Sequence, residues 1–384
     1  MQVVSKICVI CVICGAVCLK VLASDDQCLT CHKNYGGYLT TAHHLTSRTA
    51  TRDSILGKFD DVLKTAEPEL FYRLESRNDG FFQTGVLGTP PDAVSISQRF
   101  DLVIGSGRKG QTYLYWGEND QLFQLPVSYW TALGSWVNSP GYGDRTLDFS
   151  RPVLPRCLEC HASYFEAVNN GAVPNRYQRT DYVLGVSCER CHGAGAQHIA
   201  LNSFPRANPA LQANPNGGQQ ANAKPAQQAI INPAKLPRAR QIDLCGLCHA
   251  GVGVSKTAPF SFRAGDVLDN YIEFEKPKLD EPLDVHGNQL ELLERSKCFQ
   301  ASNMTCSTCH DVHETQRDPA YFSDKCLQCH KVQSCGLFPK RGRALAGKCV
   351  DCHLPNQDSN VIFSSHDRIR IVPKVRNHWI KIYR

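Results

Sequence analysis

Cys188-Glu189-Arg190-Cys191-His192-Gly193-Ala194-Gly195-Ala196-Gln197-His198 sets two thiols two residues apart, an imidazole directly after the second, and another imidazole six residues on. Such a thiol pair can add across the two vinyl groups of one haem, which leaves the adjacent His beneath the iron as an axial ligand. Working outward, the same pattern recurs as CLTCH (Cys28, Cys31, His32), CLECH (Cys157, Cys160, His161) and CGLCH (Cys245, Cys248, His249). It returns as CSTCH (Cys306, Cys309, His310), CLQCH (Cys326, Cys329, His330) and CVDCH (Cys349, Cys352, His353). Chance would supply roughly 0.03 copies at this Cys and His content. Seven copies read as seven covalently bound haem c groups. Zinc sites, a thiol redox centre or a disulfide framework would each have to account for a His after every second Cys, and none requires it.

The chain opens with Lys6, an apolar run from Ile7 to Leu19, and Val21-Leu22-Ala23 before polar Ser24. That run is short for a membrane span and ends on small residues, so residues 1–23 read as a secretory signal peptide cut after Ala23. The expected location is periplasmic, with no transmembrane span after cleavage. Four cysteines leave with the signal, fourteen sit in the motifs, and Cys298 and Cys335 remain. An oxidising compartment favours a disulfide between those two. The formal charge of +6 belongs to the bare chain. Losing Lys6 and Lys20 and adding seven ferric haems with ionised propionates brings it to about −3. A nucleic-acid partner does not follow from the basic sequence.

After cleavage roughly 52 residues remain per haem, too few for a separate apolar core around each. The cofactors must be much of the core. The expected architecture is a mainly α/irregular multihaem cytochrome c fold organised around stacked haems, with a small antiparallel β insertion after the first haem. Residues 24–80 form a first haem segment, 81–156 the β-rich insertion, and 157–384 a six-haem domain. Within that domain the Asn/Pro/Gln/Ala-rich stretch 202–237 is a loop or linker.

Between His32 and Cys157 lie 124 residues without a motif. Apolar spacing at Ile55, Phe59, Val62, Leu63 and Leu70 predicts a helix over 54–74, interrupted by Pro68. Beyond it, Phe100 to Ile104, Thr112 to Trp116 and Leu122 to Leu125 have strand character, with Gly117 to Asp120 as a turn. Gly105-Ser106-Gly107-Arg108-Lys109-Gly110 has dinucleotide-loop spacing, but a strand follows where that fingerprint needs a helix, so it reads as a hairpin loop. Trp116, Trp130 and Trp136, with Tyr113, Tyr115 and Tyr129, form either a packed apolar face or a surface for a partner or substrate.

Seven histidines lie outside the motifs: His43, His44, His198, His286, His313, His366 and His378. Used as second axial ligands they would be wholly consumed, but adjacent His43 and His44 point apart on any regular backbone. Six bis-histidine haems and one exception are expected, with His44 the weakest candidate. His198 and His313 are too near their own motifs to swing over the opposite haem face, so they should reach neighbouring haems. The tail after His366 is rich in Arg and Lys, cations suited to an edge strand or to haem propionates.

CLTCH followed by His43 and His44, CERCHGAGAQH (Cys188 to His198), Asp284-Val285-His286-Gly287 and MTCSTCHDVH (Met304 to His313) resemble a family of multihaem c-type cytochromes. That family includes the tetrahaem electron acceptor of hydroxylamine oxidation in nitrifying bacteria and a group with doubled CXXCH motifs. The likeness covers mainly residues 25–50 and 157–384, and the β-rich insertion departs from it. It implies distal-ligand roles for His198 and for His43 or His44. The Cys-x-x-Cys-Lys motif of pentahaem nitrite reductases does not occur.

Ligand supply favours an electron carrier with mostly bis-His, low-potential haems, because six-coordinate iron changes little on reduction and excludes substrate. Its partners would be redox proteins or a respiratory complex. The alternative is a multihaem oxidoreductase acting on a small nitrogen or sulfur compound at one five-coordinate haem.

Overall fold

The computed structural model describes residues 23–143, 145–168, 173–203, 230–275, 282–366 and 369–383. The leader and the centre of the 202–237 stretch lie outside them.

The motif-free interval builds two antiparallel sheets. Ten strands follow in order: β1 (Ser47–Thr49), β2 (Asp61–Lys64), β3 (Leu70–Arg77), β4 (Gly80–Leu87), β5 (Val94–Arg99), β6 (Leu102–Ile104), β7 (Gly110–Trp116), β8 (Leu122–Gln124), β9 (Val127–Trp130) and β10 (Ser135–Asn138). One sheet is the meander β2-β3-β4-β5; the other runs β1-β6-β7-β9-β10, with β8 also paired to β7. In β3 the alternate residues Leu70, Tyr72 and Leu74 are buried while Arg73 faces out, the period of two that a strand imposes. They meet Val103, Tyr113, Tyr115, Val127 and Trp136 of the second sheet in one apolar core. Gln83 ties the layers together, its amide nitrogen donating to the Val127 carbonyl at 2.7 Å and its oxygen accepting from the Val127 N–H at 3.0 Å.

The second sheet is covered on both faces. Leu102, Leu114 and Leu122 turn away from the sandwich and pack on Val153, Leu158, Ala162, Phe165 and Tyr177. These belong to the CLECH helix Pro155–His161 and to the hairpin β11 (Ala162–Ala167) and β12 (Tyr177–Leu184), with the segments beside them. Double coverage explains why Leu102-Val103-Ile104 and Tyr113-Leu114-Tyr115 are continuous apolar runs. It also fixes one motif against the sandwich.

Past residue 230 the apolar core thins. The CGLCH helix Arg238–His249 packs Leu247 on Phe262, Leu268 and Ile272. Between Cys306 and His353 the buried side chains are Ser323, Leu345 and Val350. Two small hairpins follow, pairing Asn356–Asp358 with Lys374–Arg376 and Ser364–His366 with Ile369–Ile371.

Several expectations are corrected. The chain is not mainly α: it holds 31% helix and 26% strand, and its antiparallel sheets span much of the N-terminal region rather than a small insertion. The helix expected over 54–74 is absent, with β2 and the start of β3 in its place. Ile55 and Leu63 do reach the core and Phe59 packs against it, but Val62 is half exposed. Pairing with neighbouring strands overrode a helical spacing already broken at Pro68. Cys298 and Cys335 are both free thiols.

Other readings hold. The strands read from Phe100 to Leu125 are β6, β7 and β8, and the glycine-rich loop joins β6 to β7 with Gly105 and Gly107 at φ of 100° and 83°, a conformation that favours glycine. Trp136 is core, edge-on to Phe100 and Tyr129, and its indole N–H donates to the Lys58 carbonyl at 2.6 Å. Among the described residues no helix is long and apolar enough to cross a membrane.

Candidate haem-binding sites

On a helical turn, positions i, i+3 and i+4 share a face, so Cys-x-x-Cys-His on such a turn presents both thiols and the imidazole together. The motifs lie on the ends of short helices: Asp25–Cys31, Pro155–His161, Cys188–His192, Arg238–His249, Pro319–Leu327 and Cys349–His353. The CSTCH motif sits on the tighter turn Cys306–Thr308.

An imidazole nitrogen lies about 2 Å from a first-row metal ion and about 1.1 Å from its ring centre, so two rings trans across one metal have centres about 6.2 Å apart. Ring pairs with that spacing recur. His32 and His198 are 6.2 Å apart, His43 and His249 6.2 Å, His192 and His313 6.1 Å, and His310 and His378 6.3 Å. Each pair joins a motif His to one outside any motif. The separation lies within the range of ordinary ring contacts and also equals the spacing that two imidazoles holding one metal ion from opposite sides would have. His286 faces His161 closely enough to act on its charge. A cleft of about 210 Å³ is lined by Cys28, Cys31, His32 and His198. By donor type and spacing, these residues fit haem.

Only neutral imidazole can ligate a metal. Burial holds His43, His161 and His310 neutral, each pulled down to about 4 by desolvation and then by neighbouring histidines. His43 and His310 nevertheless keep accessible surface, as rings in the wall of a cleft do. Second partners orient several rings: the Nδ1 atoms of His192, His353 and His378 lie 2.9, 2.9 and 3.1 Å from the carbonyls of Ile231, Lys381 and Arg376. His161 Nδ1 lies 3.0 Å from Thr46 Oγ1, just before β1. Occupying Nδ1 turns Nε2 towards a metal. None of these partners was legible in the sequence: all are backbone or hydroxyl groups, and those of His161, His192 and His353 are brought from segments 28 or more residues away.

The adjacent pair His43 and His44 diverges. His43 turns to His249, whereas His44 Nδ1 bonds Asp25 Oδ2 at 3.1 Å, and Asp25 Oδ1 accepts the Cys188 N–H at 2.8 Å. His44 therefore helps tie the first motif to the third. His366 lies in a hairpin against the sandwich, its Nδ1 3.0 Å from the Trp136 carbonyl. Among the described residues, His330 and His353 take part in no imidazole pair of this spacing.

The motifs also meet through their thiols. Cys28 lies within hydrogen-bonding reach of Cys188, Cys160 of Cys248, and Cys245 of Cys306. Cys191 lies near Cys245, and Cys326 near Cys349.

Comparison with known proteins agrees with this geometry. The family model described as cytochrome c554 and c-prime matches residues 144–193, the stretch holding CLECH and CERCH. The C-type polyheme cytochrome OmcB of Geobacter sulfurreducens (strain DL-1 / KN400) is 26% identical over 160 residues, 40% of this chain and 19% of that protein. OmcC of Geobacter sulfurreducens (strain ATCC 51573 / DSM 12127 / PCA) is 27% identical over 184 residues, 42% of this chain and 20% of that protein. The chain thus spans about a fifth of the length of the curated relatives it matches. No solved structure matches it. Together the matches support a multihaem c-type cytochrome.

Proposed function

We propose that the chain is a periplasmic seven-haem c-type cytochrome that passes single electrons at low potential through mostly bis-histidine haems to and from redox protein partners. The observation that carries the reading is the set of four imidazole pairs at 6.1–6.3 Å, each closing on a Cys-x-x-Cys-His motif. Bound haem would supply a one-electron iron couple, held lower by paired imidazoles than by a His/Met pair. The chain's part is to hold each site rigid. Burial favours the neutral form of His43, His161 and His310, the Ile231 and Arg376 carbonyls orient the His192 and His378 rings, and a second imidazole opposite the motif His would leave substrate no place at the iron.

The thiol contacts support a route. They link the first motif to the third, the third to the fourth, the fourth to the fifth and the sixth to the seventh, with the second joined to the fourth. His286 and His366 are assigned here as further distal ligands, beside His43, His198, His313 and His378.

The test is haem content by pyridine haemochrome and intact mass, followed by low-temperature EPR of the oxidised protein. Seven haems with low-spin ferric signals are expected. Fewer than five haems would overturn the reading. A stoichiometric high-spin signal that shifts with nitrite, hydroxylamine or cyanide would replace the carrier with an oxidoreductase open at the His330 or His353 site. Processing is tested by N-terminal sequencing. A start at Ser24 is expected, whereas a start upstream would keep Ala23, whose N–H donates to Glu189 at 2.9 Å.

A further inference from the structure

Three motifs meet around buried charge that ligation does not use. Arg156 and Glu159 flank Cys157 on the CLECH helix and are 8% and 3% exposed, so both charges sit in protein. Arg156 clamps the CGLCH segment: its Nη2 donates to the Leu247 carbonyl at 2.5 Å and its Nε to the Val252 carbonyl at 2.6 Å. Its Nη1 reaches the Cys160 sulfur at 3.3 Å and lies 3.6 Å from Glu159 Oε2. Glu159 Oε1 accepts the Phe260 N–H at 2.7 Å. The third member comes from the CERCH motif, where Arg190 donates to the Glu159 carbonyl at 3.2 Å and lies over the Phe260 ring at 5.5 Å.

Two guanidinium groups against one carboxylate leave one net positive charge at this junction. Arginine stays protonated in any protein environment, and burial limits screening, so the charge is permanent and is felt at short range. The sulfurs beside it belong to two motifs, Cys160 and Cys248, and each lies against the other helix's backbone, at the Leu247 and Glu159 carbonyls. On the far side of the CERCH helix the balance reverses. Glu189 accepts the Gly195 N–H at 2.7 Å, Asp25 caps Cys188, and both carboxylates lie near enough to act on Cys28 of the first motif.

We propose that Arg156, Glu159 and Arg190 form a net-positive cluster that raises the reduction potential at the second and fourth motifs. The first electrons to enter then rest at this junction rather than at the carboxylate-flanked first motif. The inference rests on the haem reading above. Adding an electron to a ferric site lowers its charge by one, and a nearby fixed cation favours the reduced form. The electron comes from the redox partner, or from dithionite in the test.

The test is a spectroelectrochemical titration of the holoprotein and three variants, each first assayed for haem content. Arg190→Gln is expected to lower the highest-potential part of the titration and Glu159→Gln to raise it, with the low-potential part unmoved in both. Arg156→Lys, which keeps the charge and loses the fork that clamps two carbonyls, is expected to leave the potentials near wild type even if thermal stability falls. Shifts of the same sign in Arg190→Gln and Glu159→Gln, or no shift in either, would overturn the cluster while the haem reading stands. A wild-type chain without haem would overturn both.

Discussion

Residues 47–138 and residues 306–353 are built on opposite principles. The first region carries no motif and closes two sheets over a core that includes Tyr72, Tyr113 and Trp136, all nearly inaccessible. The second carries three motifs in 48 positions and buries little beyond Ser323, Leu345 and Val350. A segment of that size cannot offset its conformational entropy with two apolar side chains. Apolar burial is concentrated in the first region. The sandwich is self-sufficient in apolar surface, whereas the C-terminal segment, on the function proposed above, would depend on what its cysteines and histidines hold.

The contrast breaks most visibly if the cysteines of the last three motifs are replaced. With Cys306, Cys309, Cys326, Cys329, Cys349 and Cys352 changed to Ser, amide exchange protection is expected to vanish across 306–353. β3, β4 and β7 should stay protected. Equal loss in both regions, read by exchange mass spectrometry, would show that they are not independent.

The converse change strikes the sandwich. Trp136→Ala removes a core ring packed between Phe59, Phe100, Tyr113 and Tyr129 and should cost about 3–5 kcal/mol in a denaturant titration followed by far-ultraviolet circular dichroism. The EPR spectrum should be unchanged, apart from the site nearest His366, whose Nδ1 leans on the Trp136 carbonyl.

A smaller, local effect comes from His378→Ala. It removes the ring facing His310 and should convert one low-spin signal to high-spin, leaving the sandwich transition in place. An unchanged EPR spectrum would remove His378 from the ligand set. Smallest of all, Lys374→Ala deletes an exposed partner of Asp358 and should move the midpoint by less than about 0.5 kcal/mol. A larger shift would mean the tail hairpin carries stability that the comparison assigns elsewhere.

The legibility of the chain follows the range of the interactions. Strands β6 to β8 were readable because apolar runs and turn residues lie side by side in sequence. β2 and β3 were not: Ile55, Phe59 and Leu63 have helical spacing, and the decision for strand came from the pairing of β2 with β3 and of β3 with β4, which local pattern does not report. The leftover Cys298 and Cys335 show the same limit. Their count in an oxidising compartment suggested a bridge, while the fold places Cys298 beside Cys309 and Cys326 and Cys335 beside Cys349.

By itself the sequence determined the seven Cys-x-x-Cys-His motifs, since two thiols and an imidazole at i, i+3 and i+4 need only one helical turn to share a face. It also determined the supply of spare imidazoles and the shortage of apolar residues near the last motifs. Only the tertiary structure decided which imidazole faces which motif: His43 rather than His44, opposite His249, and His378 opposite His310. A second axial ligand has to arrive at one distance and one direction, and any segment that folding delivers there can provide it. That choice is made by packing across the whole chain, where neighbours in space are far apart in sequence.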